Sequence, residues 1–231
     1  MVSTPIGNLE DITLRALRVL QEVDLIAAED TRRTAKLLSH YNIQKQTVSY
    51  HDYNKARRTP DLLRKLRSGV QIAVVSDAGT PGISDPCYYL VRRAIDAGIS
   101  VIPIPGPTAA ISAVVVSGLP TDRFVFEGFL PKAEGRCRTR LFELSTERRT
   151  VILYESPHRL VKHLRMMLEV WGDRKMVLAR ELTKRFEDVQ RSTISRFVEQ
   201  YQDVRPKGEF VLIIEGASEE REKKRRCCPK S

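Results

Sequence analysis

Residues 76–86 read Ser76-Asp77-Ala78-Gly79-Thr80-Pro81-Gly82-Ile83-Ser84-Asp85-Pro86, between an apolar run at 71–75 and a helix-like stretch that starts at Pro86. Glycine tolerates backbone angles and close approaches that a Cβ forbids, proline stiffens a loop, and Ser-Asp-Pro is a favourable helix start. Most strand-to-helix connections are 2 to 6 residues long, so this one is more elaborate than linkage requires. A turn of this kind can hold a polar ligand against the backbone.

Working outward, short apolar runs at 25–28, 47–50, 71–75 and 99–104 alternate with helix-like stretches at 12–22, 32–40, 60–67 and 86–97. Runs that are continuously apolar indicate strands covered on both faces, as in a parallel sheet flanked by helices, where ligands bind at the carboxyl ends of strands. Both the 76–86 loop and Pro105-Gly106-Pro107-Thr108 follow such runs, so two loops are expected on one edge. A small-residue helix then begins near Ala109.

After Gly118 the pattern changes, and a domain boundary is placed there. The expected organisation is an N-terminal α/β domain over 1–118 with a mostly parallel sheet, a C-terminal α/β domain with a mixed sheet over 119–217, and a charged tail over 218–231 that composition marks as disordered. In the second domain, strands are expected near 124–129, 150–154, 176–179 and 210–215, with helices over 158–170 and 194–201. The pattern shows no internal repeat.

The chain has 231 residues, 42% of them hydrophobic, and no stretch approaches the roughly 20 apolar residues needed to span a bilayer. With no secretory leader pattern, a cytoplasmic location is the expectation. Cys87, Cys137, Cys227 and Cys228 have neither zinc-site spacing nor a disulfide framework and are read as reduced thiols; His40, His51, His158 and His163 form no ligand motif, so no metal is expected. The net charge is +10, and between Thr31 and Arg67 ten Lys or Arg face only Asp52 and Asp61. A basic surface concentrates phosphates without reading sequence, or simply solubilises a face; here it indicates an anionic partner. The chain lacks the GxGxxG fingerprint, a Walker A sequence and a GxSxG elbow, which removes the dehydrogenase, P-loop and serine-hydrolase readings.

Taken together, TPIGNLEDIT at 4–13, AEDTRRT at 28–34, SDAGTPGISDP at 76–86, PGPTAA at 105–110, FLPK at 129–132 and YESPHR at 154–159 carry a resemblance over nearly the whole chain. The sequence resembles the tetrapyrrole-methylase-like, class III methyltransferases. Within them it is most similar to the branch that methylates the ribose 2′-hydroxyl of a cytidine in 16S, small-subunit ribosomal RNA. The resemblance implies S-adenosylmethionine as methyl donor, bound in a cleft between two α/β domains, and a homodimer as the working form.

Carried over position by position, the resemblance implies that Asp77, Ala78, Gly79, Thr80 and Pro81 line the methionine end of the cofactor, approached by Thr108, Ala109 and Ala110. Phe129, Tyr154, Ala179, Arg180 and Glu181 are expected to supply the second domain's wall. A ribose hydroxyl is a poor nucleophile at neutral pH, so a base or a cation favouring the alkoxide is needed; Glu155, His158, Glu181 and Lys132 are the candidates. Arg32, Arg33, Lys36, His51, Arg57 and Arg58 are the candidate RNA contacts, although Asp30 is equally suited to holding Arg32 or Arg33 in place. Relative to the family pattern, the sheet edge formed by the first residues is expected to be short, and RNA affinity is expected to be reduced by the short carboxyl end. A tetrapyrrole or protein acceptor, or a non-catalytic RNA-binding module, remain the alternatives.

Overall fold

The computed structural model describes residues 1–218, which form two compact units meeting in sequence between Thr108 and Ala109. The Ser218 to Ser231 tail expected to be disordered, with Cys227 and Cys228, lies outside the described residues from position 219 onward.

In the first unit, β1 (Leu25–Ala28), β2 (Thr47–Ser49) and β3 (Ile72–Val75) form a parallel sheet in the order β2-β1-β3. It is interleaved with α1 (Leu14–Glu22), α2 (Thr31–His40), α3 (Lys55–Arg67) and α4 (Cys87–Asp96). All four residues of β1 are buried. Side chains alternate across a strand, so Ile26 and Ala28 pack with Ala16, Leu20, Leu37 and Leu38, while Leu25 and Ala27 pack with Tyr50, Leu62, Cys87 and Leu90. Helices therefore cover both faces, as the unbroken apolar runs predict.

Two expectations are corrected here. The third helix starts at Lys55 and carries Pro60 inside it; the proline forgoes one intrahelical hydrogen bond, and the adjacent Thr59 hydroxyl donates to the Lys55 carbonyl at 2.7 Å. The run at 99–104 forms no regular strand: only Ile104 makes a bridge, to Val2, and Ser100, Val101 and Ile102 line a cavity of about 590 Å³ shared with Ile72 and Ala73. Pro103 and Pro105 remove two backbone donors from this stretch. Residues 1–4 likewise contribute bridges rather than a full strand, with the Val2 N–H on the Val74 carbonyl and Thr4 bridged to Gly79.

In the second unit, α5 (Ala109–Val115), β4 (Phe124–Phe129), α6 (Glu134–Glu143), β5 (Thr150–Glu155), α7 (Leu160–Trp171), β6 (Lys175–Arg180), β7 (Asp188–Thr193), α8 (Ile194–Tyr201) and β8 (Phe210–Ile214) follow in order. The mixed sheet runs β4-β5-β8-β6-β7, parallel only between β4 and β5. Val151, Leu153, Met176 and Leu178 face α7 and α8 through Leu160, Leu164 and Phe197, whereas Ile152, Val177, Ala179 and Val211 face Ala110, Ala113 and Val114 of α5. That packing draws α5 into the second unit, so the division falls before this helix and not after Gly118. Sequence periodicity also leaves out α6 and the polar edge strand β7.

Candidate functional site

The three parallel strands of the first unit end together, with Ala28 paired to Ser49 and to Val75. Their next residues, Glu29, Tyr50 and Ser76, therefore share one edge, and the loop at 76–86 rises from it. Gly79 exchanges both backbone hydrogen bonds with Thr4, at 2.9 Å each. Its φ of +78° is a left-handed conformation, and a Cβ there would stand 3.3 Å from Ile6 and 3.6 Å from the Pro107 carbonyl. The left-handed φ favours glycine, and the space beside it is snug. The Thr80 hydroxyl reaches Ser3 at 3.0 Å and donates to the Pro107 carbonyl at 3.3 Å, so the two expected loops do meet. Asp85 closes the far side, accepting from the N–H groups of Gly82 and of Cys87 at the start of α4.

Asp77 is held but not satisfied. Its backbone N–H donates to Glu29 Oε2 at 3.1 Å and its Oδ2 lies 3.5 Å from Arg33, while Oδ1 is buried without a hydrogen-bond partner. A buried acceptor left unpaired costs about 1–3 kcal/mol, so this oxygen is suited to a donor brought by a ligand. Burial pushes the Glu29 carboxyl above its ordinary range, the carboxylates of Asp77, Asp85 and Asp52 add to the rise, and the Asp77 N–H works against it. The loop base is thus a partly buried cluster of carboxylates.

The basic candidates stand on the same edge with different degrees of freedom. Asp30 caps α2 by accepting the Arg32 N–H at 2.8 Å and binds the Arg32 guanidinium through both oxygens. The Arg32 hydrogen bonds hold the Asp30 carboxyl far below its usual range. Arg33 leans on Asp77, and Lys36 and Arg57 are exposed. Arg58 is half-buried, with Nε lacking a partner. His51 braces its own turn: Asn54 Nδ2 donates to the Ser49 carbonyl and lies 3.1 Å from His51 Nε2, while His51 Nδ1 is buried without a hydrogen-bond partner.

In the second unit β5 and β6 both run antiparallel to β8, and Glu155 and Arg180 are each paired with Phe210. A bulge at Glu127 brings Phe129 opposite Tyr154. Phe129, Tyr154, Glu155, Arg180 and Glu181 accordingly line one edge of this sheet. The Tyr154 ring meets Phe126 and Phe129 at centroid distances of 5.0 and 5.6 Å, and its hydroxyl accepts the Ala110 N–H at 3.3 Å. Phe129 remains 50% exposed, which makes it the open aromatic of the group, whereas Ala179 is wholly buried and offers a ligand no side-chain surface. Arg180 Nε is buried without a partner.

Of the four candidates for proton handling, two are engaged. Glu155 is buried, accepts from His163 Nδ1 and from the Ser156 N–H, and lies 3.4 Å from Arg159. Glu181 adopts φ +51° and its Oε1 accepts both Lys184 and the Glu209 N–H. Burial alone raises the Glu181 carboxyl, but those two hydrogen bonds outweigh it and hold the group below its ordinary value, which weakens it as a base. Lys132 and His158 are exposed on the turns after β4 and β5, and no described residue engages either side chain. Sequence reading did not find the partners of Glu155: His163 and Arg159 lie on the following helix and its lead-in, and only the YESPHR stretch gave a signal. Among the described residues no group of His, Cys, Asp and Glu could hold a metal ion, and no helix is long and apolar enough to cross a membrane. Cys87 and Cys137 are buried free thiols, and burial pushes the Cys87 thiol far above its ordinary value.

The chain is 54% identical over 222 residues to the ribosomal RNA small subunit methyltransferase I of Synechocystis sp., covering 95% of this chain and 79% of that one. It is 47% identical over 216 residues to the protein of the same name from Thermotoga maritima, covering 94% and 97%. Among solved structures, the methyltransferase CobJ superposes with a TM-score of 0.69 at 18% identity, over 94% of this chain and 92% of that one. The uroporphyrin-III C-methyltransferase from Thermus thermophilus complexed with S-adenosylhomocysteine gives 0.64 at 21%, over 92% and 94%. The family model described as tetrapyrrole (corrin/porphyrin) methylases matches residues 1–198, and the chain belongs to that family.

Proposed function

We propose that the protein transfers the methyl group of S-adenosylmethionine to the 2′-hydroxyl of a cytidine in small-subunit ribosomal RNA. The observation that carries the cofactor reading is the loop from Asp77 to Pro81, where a buried, unpartnered carboxylate oxygen of Asp77 adjoins the left-handed turn at Gly79. The acceptor reading rests on identity of about half the chain to two proteins named for ribosomal RNA methylation, and on the basic helices at the same edge as the loop.

The residues present fit the cofactor. Asp77 Oδ1 would accept from its ammonium group, the backbone of Ala78, Gly79, Thr80 and Pro81 would lie along its amino-acid end, and Thr108, Ala109 and Ala110 would approach it next. Phe129, Tyr154, Arg180 and Glu181 would contribute from the second unit, with Ala179 acting through its backbone alone. When bound, the cofactor supplies a methyl group already activated on a sulfonium. The protein's part is to align the hydroxyl oxygen with that methyl and exclude water, which is worth several kcal/mol. Lys132 and His158 are the groups we propose for favouring the alkoxide or taking its proton, with Glu155 and Glu181 as supports of the strand ends. Arg57, Arg58 and Lys36 are proposed phosphate contacts; Arg32 and Arg33 act there only in part, since carboxylates already compensate them. His51 shapes the turn that carries these contacts. A homodimer in the cytoplasm completes the reading.

The test is transfer of labelled methyl to small-subunit particles, to naked small-subunit RNA and to a porphyrinoid precursor, followed by nuclease digestion and mass spectrometry. Label on the ribose of one cytidine supports the proposal. Label confined to a base, to protein or to the porphyrinoid overturns it.

A further inference from the structure

The turn between β2 and α3 holds a tyrosine ring fully in solvent: Tyr53 is 100% exposed. The turn itself is rigid. The His51 N–H donates to Asn54 Oδ1 at 2.9 Å, Asn54 Nδ2 donates to the Ser49 carbonyl at 3.2 Å, and the Asn54 and Lys55 N–H groups both donate to the His51 carbonyl. Asp52 and Lys55, which flank Tyr53, line a pocket of about 280 Å³ together with Ser84, Asp85, Tyr88 and Tyr89, and Tyr53 stands beside it. Tyr88, in the first turn of α4, is 64% exposed, and the Tyr89 ring is steadied by Arg93 at 5.5 Å from its centroid. Lys55 Nζ binds Asp52 Oδ1 at 2.7 Å, which leaves Oδ2 as an acceptor.

We propose that this pocket docks one unpaired RNA base against Tyr88, with Tyr53 on the adjoining turn as a second stacking ring beside it; the proposal rests on the RNA reading above. The volume lies just under the range of about 300–1,000 Å³ typical of small-ligand sites, which suits a single ring system. A tyrosine fixed on a braced turn loses little freedom on stacking, and single-stranded RNA is gripped by aromatic rings set among phosphate-binding cations. Those cations are supplied by α3, whose sequence KARRTPDLLRKLR carries one acid against six basic residues. Asp52 Oδ2 would accept from an exocyclic amine and Lys55 would donate to a ring acceptor, so a cytosine is favoured over a uracil.

The probes are a fluorescein-labelled ten-nucleotide oligocytidylate, the matching oligouridylate and an abasic ribose-phosphate oligomer of equal charge, measured by anisotropy across a salt series. The intact protein is expected to bind oligocytidylate about tenfold more tightly than the abasic chain, the scale of one stacked base. Tyr53→Ala and Tyr88→Ala should each erase most of that preference with the salt slope unchanged, while Tyr53→Phe and Tyr88→Phe retain it. Equal binding of oligocytidylate and the abasic chain by the intact protein overturns the base site and leaves the RNA reading standing. Alanine variants that keep the preference, or that change only the sedimentation of the protein, overturn it as well. Failure of the intact protein to bind any of the three at low salt overturns both readings.

Discussion

The carboxylate of Glu155 and Nδ1 of His163 form a hydrogen-bonded pair whose side chains are only 1% and 2% exposed. Arg159 stands at the outer side of that pair, donating to the Ser156 hydroxyl and the Leu130 carbonyl and lying 5.8 Å from the centre of the Phe129 ring. A strand end, a helix start and a neighbouring turn are thereby fastened through one buried carboxylate. Removing one member of such a network leaves another buried and unpaired, at about 3–5 kcal/mol. Glu155→Ala is expected to lower unfolding stability by that order in a urea titration. A variant that unfolds like the parent yet loses turnover would return Glu155 to the role of base.

Asp77→Ala should weaken S-adenosylmethionine binding by one to two orders of magnitude in calorimetry, the scale of a missing hydrogen bond to a charged group. Asp77→Asn keeps an acceptor oxygen in place and should fall between. Affinity unchanged in both would remove Asp77 from the cofactor site.

Substituting Arg57 and Arg58 by Ala should raise KM for RNA and flatten its dependence on salt by about one unit of logarithmic slope for each phosphate no longer neutralised, with cofactor affinity intact. Arg32→Ala should flatten it less than Arg57→Ala alone, because Asp30 already neutralises that guanidinium. An equal effect at both places would contradict the compensation seen in the structure.

The Glu29 carboxyl is held above its ordinary value of about 4.5 chiefly by burial. Protonation is favoured in the folded state, so its stabilising contribution is complete below the unfolded value and disappears as pH rises through the folded one. Glu29→Gln, which can still accept from the Asp77 N–H, should therefore raise the melting temperature at pH 8 and leave it unchanged near pH 4. A gain at both pH values, or at neither, would show that the carboxyl is not disfavoured when ionised.

At Gly216 an added Cβ would lie 2.0 Å from the backbone carbonyl of Arg148, where no flexible side chain can yield. Gly216→Ala should cost about 3 kcal/mol in equilibrium unfolding, at the upper end of overpacking effects. A destabilisation below about 1 kcal/mol, the lower end of such effects, would mean that the 147–149 turn moves aside freely.

What the sequence discloses follows from which signals are local. The apolar runs of β1, β3, β5, β6 and β8 are buried on both faces, so their composition alone betrays them, and Asp85 and Gly79 mark their turn by chemistry confined to a few residues. β7 escapes because an edge strand with one neighbour needs no apolar face, and its Asp188-Val-Gln-Arg-Ser-Thr193 reads as a polar loop. The placement of α5 depends on Ala113 and Val114 meeting Ile213 and Val177, residues far apart in the chain. The same holds at the site. The loop glycines were legible, but the engagement of Glu155 by His163, and of Glu181 by Lys184 and the Glu209 amide, depends on partners that no spacing rule selects.

The reciprocal bonds between Thr4 and Gly79 have a consequence for how the first unit breathes. Two stretches separated by most of a sheet are stapled at their midpoints, so neither can swing outward alone. The tip around Ile83 and Ser84 lies beyond that staple, and amide exchange slower at Gly79 than at Ser84 would be its signature.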